Sequence, residues 1–201
     1  MSTKITHIEN PKKRHIVEAA KELFWKFGIK RVSIEEICKE ANVSKMTFYK
    51  HFKNKNELIK FILDFITGSA MEEYNEIMNR DIPYKEKVDL TIKLKMKSSD
   101  HMSSEFFRDF SQTATHELKD YYQKIAQKNL SVFMNDFIEA QKKGEIRKDL
   151  NPMFIIYFLN QMLEMTKDEN LIAMYPHPQD LIMELTNFLF YGIMPRELKN
   201  K

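Results

Sequence analysis

Apolar residues recur every three or four positions along nearly the whole chain, and this periodicity constrains the fold more than any other feature. Such spacing places the apolar side chains on one face of an α-helix. The 201 residues include only 4 Gly and 6 Pro, which leaves few turn signals for a many-stranded fold. The sequence therefore predicts an all-α protein that is long enough to bury a hydrophobic core.

The beginning of the chain has the pattern of two helices joined by a short connection. A first helix is predicted from about Lys12 to Phe27, and Gly28 supplies a left-handed residue that ends it. Ser33 is a suitable N-cap for a second helix, and Glu36, three residues later, completes a capping box. Both boundaries are set by residues that satisfy free backbone groups at helix ends.

A tight turn follows over residues 41–44. Asn42 tolerates a positive φ, and Ser44 is a good cap for a third short helix. Phe48 and Phe52 have the spacing of buried residues, so the basic and aromatic residues between them face outwards. Two short helices around a tight turn form a helix-turn-helix, whose second helix enters the major groove of DNA.

Charge is divided unevenly along the chain. Residues 1–60 hold 14 Lys and Arg against 7 Asp and Glu, whereas the remaining residues hold 18 against 22. This asymmetry predicts a basic N-terminal module that meets a polyanion. A solvated lysine-rich surface explains the same charge equally well.

The segment from Ser33 to Leu58, SIEEICKEANVSKMTFYKHFKNKNEL, resembles the DNA-binding region of the TetR family of bacterial transcriptional regulators. The resemblance extends over about residues 12–60. It implies a three-helix DNA-binding domain over residues 1–60 and a larger helical domain over 61–201 that binds a ligand and dimerises through its last two helices. The chain departs from the family at Cys38, Asn42 and Met46, where alanine, glycine, and a glycine or basic residue are common, so the operator sequence is not carried over.

Phosphate contacts position such a protein on DNA, and base contacts specify the site. Phosphate contacts are expected from the polar and basic residues at the helix ends and from a basic arm on the first helix. Base contacts are expected from the exposed face of the third helix, where Met46 offers an apolar contact but no bidentate hydrogen bond. The candidate DNA-binding residues are Lys12, Lys13, Arg14, Ser33, Ser44, Lys45, Met46, Thr47, Tyr49, Lys50, His51 and Lys55.

A fourth helix is predicted from about residue 54 to residue 80, and further helices at about 84–100, 103–114, 116–143, 152–167 and 178–193. The last two are apolar around nearly their whole circumference, so they must be buried on more than one side. We favour burial against a second copy of the chain, and the alternative is a fully internal helix in a monomer. The candidate interface residues are Ile155, Phe158, Leu159, Met162, Leu185, Phe188 and Leu189.

The resemblance also implies a pocket in the larger domain for a small effector. Apolar and aromatic residues dominate the region, which suits a hydrophobic or aromatic ligand, although each residue is also compatible with an ordinary core. The candidate ligand-binding residues are Phe65, Tyr74, Met96, Phe106, Phe107, Phe110, Tyr122, Phe133, Phe137, Phe158 and Met162.

Enzymatic function is not expected. The sequence has no glycine-rich phosphate loop, no His-Glu-x-x-His and no nucleophile elbow, so we expect neither a cofactor nor a metal site. The single Cys38 excludes an intramolecular disulfide and suits the reducing cytoplasm. No segment approaches the 18 apolar residues of a membrane span, and no membrane partner is expected.

Two functional hypotheses follow from the sequence. The first is a dimeric transcriptional repressor that a small ligand releases from a palindromic DNA operator. The second is a helical protein-interaction module whose basic end binds nucleic acid loosely. Salt dependence does not separate the two hypotheses, because both predict phosphate contacts that weaken with salt. Competition by specific DNA sequences does separate them.

Overall fold

The computed structural model describes residues 8–99, 103, 105, 106, 109, 115–166 and 168–194. Within these residues all regular structure is helical, which confirms the predicted all-α class. The helices are α1 (Pro11–Phe27), α2 (Ile34–Glu40), α3 (Lys45–His51), α4 (Lys55–Met78), α5 (Tyr84–Ser99), α6 (His116–Lys143), α7 (Pro152–Met165), α8 (Glu169–Ile172) and α9 (Pro178–Ile193).

Helix boundaries agree closely with the sequence prediction. The predicted helix over 103–114 lies largely outside the described residues, and the short α8 is not predicted from the sequence. Asn42 has a φ of 51°, so the expected left-handed residue is present in the turn between α2 and α3. Gly144 ends α6 with a φ of 80°.

Side-chain caps define the two short helices. Glu36 N donates to Ser33 Oγ at 3.2 Å and Ser33 N donates to Glu36 Oε2 at 2.7 Å, which confirms the predicted capping box of α2. Ser44 Oγ accepts from Thr47 N at 3.1 Å and caps α3 in the same way. Isolated helices of this length are unstable in water, so these caps and the packing of the apolar faces together hold them in place.

The described residues form two compact units, each with its own core. The first unit extends through Met71 and includes the described residues from 103 to 125, and the second includes residues from Glu72 to 99 and from Ala126 to 194. Both α4 and α6 contribute residues to both units. The units are defined by packing, so the division into functional domains at residue 60 stays a prediction.

The core of the first unit joins the three N-terminal helices to the start of α4. Ile16, Phe24, Ile37, Phe48 and Leu58 are at most 1% exposed. In the second unit, a separate core includes the buried side chains Val88, Phe137, Ile146 and Ile155.

Two long-range contacts hold the connection between α1 and α2. Lys55 Nζ donates to the carbonyl oxygens of Ile29 at 3.0 Å and Val32 at 2.9 Å. The buried Asp109, 79 positions further along the chain, accepts a 2.7 Å hydrogen bond from Lys30 N. Burial lowers the pKa of Lys55. These contacts set where α2, and therefore α3, begins relative to α1.

Replacing Gly28 with alanine is expected to destabilise the protein. Gly28 has φ 81° and ψ 163°, a conformation open to glycine but strained for other residues. A Cβ atom there would lie 2.5 Å from Asp109 Oδ2 and 3.2 Å from Glu105 O. We expect the free energy of unfolding, measured by urea denaturation, to fall by about 2–4 kcal/mol.

Gly144 provides the matched control for this substitution. Its φ is 80°, but a Cβ atom there would meet only Lys148 Cε, at 3.9 Å. Gly144→Ala therefore reports the backbone cost alone, about 1–2 kcal/mol. Equal losses for the two variants would contradict the close approach of Asp109 to Gly28.

No helix in the described ranges is both long and apolar enough to traverse a lipid bilayer. The same residues contain no group of three or more His, Cys, Asp or Glu side chains arranged to hold a metal ion. Cys38 is a buried thiol in the first unit, and burial raises its pKa, which disfavours the reactive thiolate.

Candidate nucleic-acid interface

Helix α3 has one buried face and one exposed face. Phe48 is fully buried, and its ring centroid lies 6.0 Å from that of Phe52 and 5.5 Å from that of Tyr49. On the other face, Met46 is 82% exposed and Tyr49 is 54% exposed. Lys50 is also exposed. The phenylalanines therefore anchor α3 while its basic and apolar residues remain accessible to a partner.

Polar contacts organise the first turn of α3. The ammonium group of Lys45 forms an ion pair with the Glu35 carboxylate, and this hydrogen bond holds the pKa of Glu35 below its ordinary value. Both side chains are more than half exposed, so the pair is screened by solvent and can exchange for a phosphate or base contact. The sequence analysis did not identify Glu35, because the pair depends on how α2 packs beside α3.

Four basic side chains from two helices lie near one another. The pKa of His51 is lowered by burial, and then by the positive charges of Lys13, Lys50 and Lys12. We name Lys12, Lys13, Lys50 and His51 the basic cluster. Lys13 Nζ also lies 4.0 Å from the centroid of the Phe61 ring, a cation–π contact that orients it. Concentrated positive charge of this kind attracts the phosphates of a nucleic acid.

Comparisons with known proteins agree with this geometry. Residues 16–61 match the family described as "Bacterial regulatory proteins, tetR family". The helix-turn-helix regulator YhgD of Bacillus subtilis is 28% identical over 138 residues, which cover 68% of this chain and 72% of the relative. The matched segment, residues 16–61, is the helix-turn-helix region of this family. A second B. subtilis relative, the fatty acid metabolism regulator protein, is 25% identical over 163 residues, or 80% of this chain and 82% of the relative.

The similarity to TetR-family regulators supports a DNA-binding transcriptional regulator and not an enzyme. The predicted family and class of function are confirmed. A crystal structure of the regulator FadR from B. subtilis in complex with stearoyl-CoA superposes with a TM-score of 0.67 at 21% identity, covering 89% of this chain and 98% of that chain. This likeness shows the shared fold of a helix-turn-helix unit and a larger helical domain.

Several candidate DNA-binding residues have contacts inside the protein. The hydroxyl groups of Ser33 and Ser44 take part in the helix caps, and Lys55, at the start of α4 as expected, donates to two carbonyl groups. Thr47 is half-buried, with its hydroxyl 2.9 Å from that of Ser44, and Arg14 is half-buried. Besides Ser44, the exposed candidates are Lys12, Lys45, Met46, Tyr49 and Lys50. Contacts of all the candidates with DNA stay predictions.

The second unit contains a cavity of about 280 Å³. It lies among α5, α6, α7 and α9, and most of its wall is apolar. Of the candidate ligand-binding residues, Phe133 and Met162 line it. Four candidate interface residues also line it, namely Leu159, Met162, Leu185 and Leu189. The lining residues are Thr91, Lys95, Phe133, Leu159, Met162, Leu163, Thr166, Ile182, Leu185, Thr186, Leu189 and Phe190.

The other candidate ligand-binding residues lie elsewhere. Phe106 is buried against Trp25, at a ring-centroid distance of 4.5 Å, and Phe137 is in the core of the second unit. Phe65 packs against the core of the first unit. Burial raises the pKa values of Tyr74 and Tyr122, Met96 is exposed, and Phe158 is half-buried against the core of the second unit. Phe107 and Phe110 lie outside the described residues.

Three exposed aromatic side chains of α7 and α9 lie around the half-buried Phe158. Phe154, Tyr157 and Phe188 are 54%, 63% and 69% exposed. The ring of Phe158 lies 6.0 Å from Phe154 and 6.2 Å from Phe188, measured between centroids. We name these four residues the aromatic patch. The candidate interface residues Ile155 and Leu189 are instead buried in the core of their own unit.

Proposed function

We propose that the protein binds a two-fold symmetric DNA operator as a homodimer, with α3 of each subunit in a major groove. The observation that carries the proposal is that the exposed face of α3 ends at the basic cluster. In this arrangement Lys12, Lys13 and Lys50 contact phosphates, while Met46 and the neighbouring residues of α3 reach base edges. Two such helices in a dimer require half-sites about one helical turn apart, or a multiple of this.

Selection from a randomised duplex DNA pool tests the proposal. The purified full-length protein is expected to enrich an inverted repeat at near-physiological salt. A variant with Tyr49→Ala and Lys50→Ala keeps the buried face of α3 and is expected to lose this enrichment. Retention of DNA without any enriched sequence would contradict operator binding and would favour a loose nucleic-acid contact.

The aromatic patch is the proposed dimer interface. Exposed apolar surface of this kind marks interaction sites on soluble proteins. Phe188 and Phe158 come from the last two long helices of the chain, the pair through which the TetR family dimerises. The sequence assigned this interface partly to Ile155 and Leu189, and we now assign it to Phe154, Tyr157, Phe158 and Phe188.

The cavity of the second unit is the proposed effector site, and its chemistry suits an apolar molecule with an acidic head group. Of its lining residues, Lys95 carries a charge. Lys95 is exposed as a residue, but the protein around its ammonium group partly excludes water and lowers its pKa. An anion beside the ammonium group would stabilise its charged form. The hydroxyl groups of Thr91, Thr166 and Thr186 donate to carbonyl groups of their own helices.

Fatty acids and their thioesters combine an apolar chain with an anionic group. The names of the B. subtilis fatty acid metabolism regulator and of the B. subtilis FadR structure with stearoyl-CoA support this class of effector. Repression is the direction that the resemblance to the TetR family favours. Release of the operator then requires the effector to bind the DNA-free conformation more tightly than the DNA-bound one.

Replacing Lys95 with methionine is expected to weaken binding of decanoate by about ten-fold or more, because a hydrogen bond to a charged group is lost. Binding of decanol, which has no carboxylate, is expected to stay within about two-fold. Calorimetric titration of both ligands measures the difference. Lys93→Met, which removes an exposed lysine from the same helix, is the matched control. Equal losses for decanoate and decanol would contradict an anion contact at Lys95.

A further inference from the structure

We propose that Met46 recognises a thymine in each operator half-site by packing its thioether against the C5-methyl group of the base. This inference rests on the operator contact of α3 proposed above. It assigns one base of the operator to one side chain, whereas the similarity to TetR-family regulators supports only the class of function.

Exposure of Met46 is the first observation behind this inference. Its exposed fraction, 82%, exceeds that of every other large hydrophobic side chain in the described residues. Packing of α3 does not require it, because Phe48 fills the core from the opposite face of the helix. An unbranched apolar side chain that projects from the face proposed to enter the major groove adds apolar surface there.

The neighbours of Met46 are engaged in contacts within the protein. Lys45 pairs with the Glu35 carboxylate. Thr47 lies with its hydroxyl oxygen 2.9 Å from that of Ser44 and is half-buried. Met46 is therefore the highly exposed side chain in the first turn of α3 that takes no part in an ion pair or a helix cap.

The chemistry of the base edges then selects thymine. In the major groove, guanine, adenine and cytosine present hydrogen-bond donors and acceptors, and thymine alone also presents a methyl group. A thioether is a weak acceptor and has no hydrogen to donate, so it leaves a polar edge unsatisfied. Contact with a methyl group removes apolar surface of both partners from water.

Substitution of uracil for thymine tests the inference, because it removes the methyl group and keeps base pairing. Each thymine of the selected operator is replaced in turn, and affinity is measured by fluorescence anisotropy. We expect one position in each half-site to lose affinity by about four-fold, the factor for burial of one methyl group, and about sixteen-fold when both half-sites are changed.

Met46→Ala is expected to bind the thymine and uracil operators with equal affinity. Met174→Ala removes a methionine that is 74% exposed in the second unit, and it is expected to keep the wild-type difference. The inference is overturned if no uracil substitution weakens wild-type binding, or if the loss persists in Met46→Ala. Failure of operator binding itself would appear earlier, as the absence of an enriched inverted repeat.

Discussion

Replacing Phe188 with glutamate is expected to convert the proposed homodimer into monomers. Phe188 is 69% exposed and lies 6.2 Å from Phe158, between ring centroids, within the aromatic patch. Covering one such ring contributes about 1.5–3 kcal/mol, and two-fold symmetry makes each change count twice. Because a buried carboxylate adds a desolvation cost, we expect the dimer to weaken by about 4 kcal/mol or more, which raises its dissociation constant about a thousand-fold.

Sedimentation equilibrium measures this change directly. Met174→Glu is the matched control, since Met174 is 74% exposed and lies outside the aromatic patch. Both variants are expected to keep the helical circular dichroism of the wild type, because neither side chain belongs to a core. A Phe188→Glu protein that remains dimeric would show that the subunits pair through another surface.

Loss of the dimer is also expected to abolish operator binding at concentrations where the wild type is bound. A dimer that holds one half-site presents its second α3 to the other half-site at a high effective concentration. A monomer must bind each half-site independently and loses this advantage. The same Phe188→Glu protein therefore links the aromatic patch in the second unit to DNA binding by the first.

Short-range chemistry explains how much of the helix-turn-helix could be predicted from the sequence. The capping box joins Ser33 to Glu36, the cap of α3 joins Ser44 to Thr47, and the turn depends on the positive φ of Asn42. Each of these features lies within a few consecutive residues. The bounds of α2 and α3 and the buried positions of Phe48 and Phe52 are accessible for the same reason.

Contacts between distant segments could not be predicted in the same way. Lys55 has the sequence position of a phosphate-binding residue, but its ammonium group bonds to carbonyl groups of the α1–α2 connection. Asp109 reaches Lys30 across 79 positions of the chain. Neither contact leaves a periodic signal, since each depends on how helices and connections pack in three dimensions.

The two apolar helices, α7 and α9, show a second limit of prediction from the sequence. Helices α7 and α9 have apolar residues on nearly every side, so no polar face indicates which residues point to the core. The structure places Ile155 inside and Phe154 outside, although they are adjacent in sequence. Their existence as helices was predictable, but the direction each aromatic ring faces was not, and the assignment of the interface changed for this reason.

Replacing Lys12 and Lys50 with glutamine is expected to lower operator affinity by about three orders of magnitude at about 0.1 M salt. Both lysines are exposed, and both lie close enough to His51 to lower its pKa. A dimer loses four positive charges through these substitutions. Since each neutralised phosphate contributes about 0.9 to the slope of log affinity against log salt, we expect the magnitude of that slope to fall by about 3.6.

Lys128 and Lys143 provide the matched control for this prediction. They are exposed on the part of α6 that belongs to the second unit, and their replacement with glutamine removes the same total charge. An operator contact confined to the basic cluster predicts an almost unchanged slope for the control. Equal reductions in the two variants would mean that net charge, and not the position of Lys12 and Lys50, determines binding.

Titration of His51 in the DNA-free protein provides an independent measurement of the basic cluster. Burial, and then the nearby positive charges, disfavour the imidazolium form, so the pKa of His51 lies below its ordinary value of 6.5. Replacing Lys12 and Lys50 with glutamine is therefore expected to raise this pKa, while burial keeps it below 6.5. If the pKa, followed by NMR, stays constant while DNA affinity falls, the two lysines contact DNA without lying near His51, and the cluster is not a single surface.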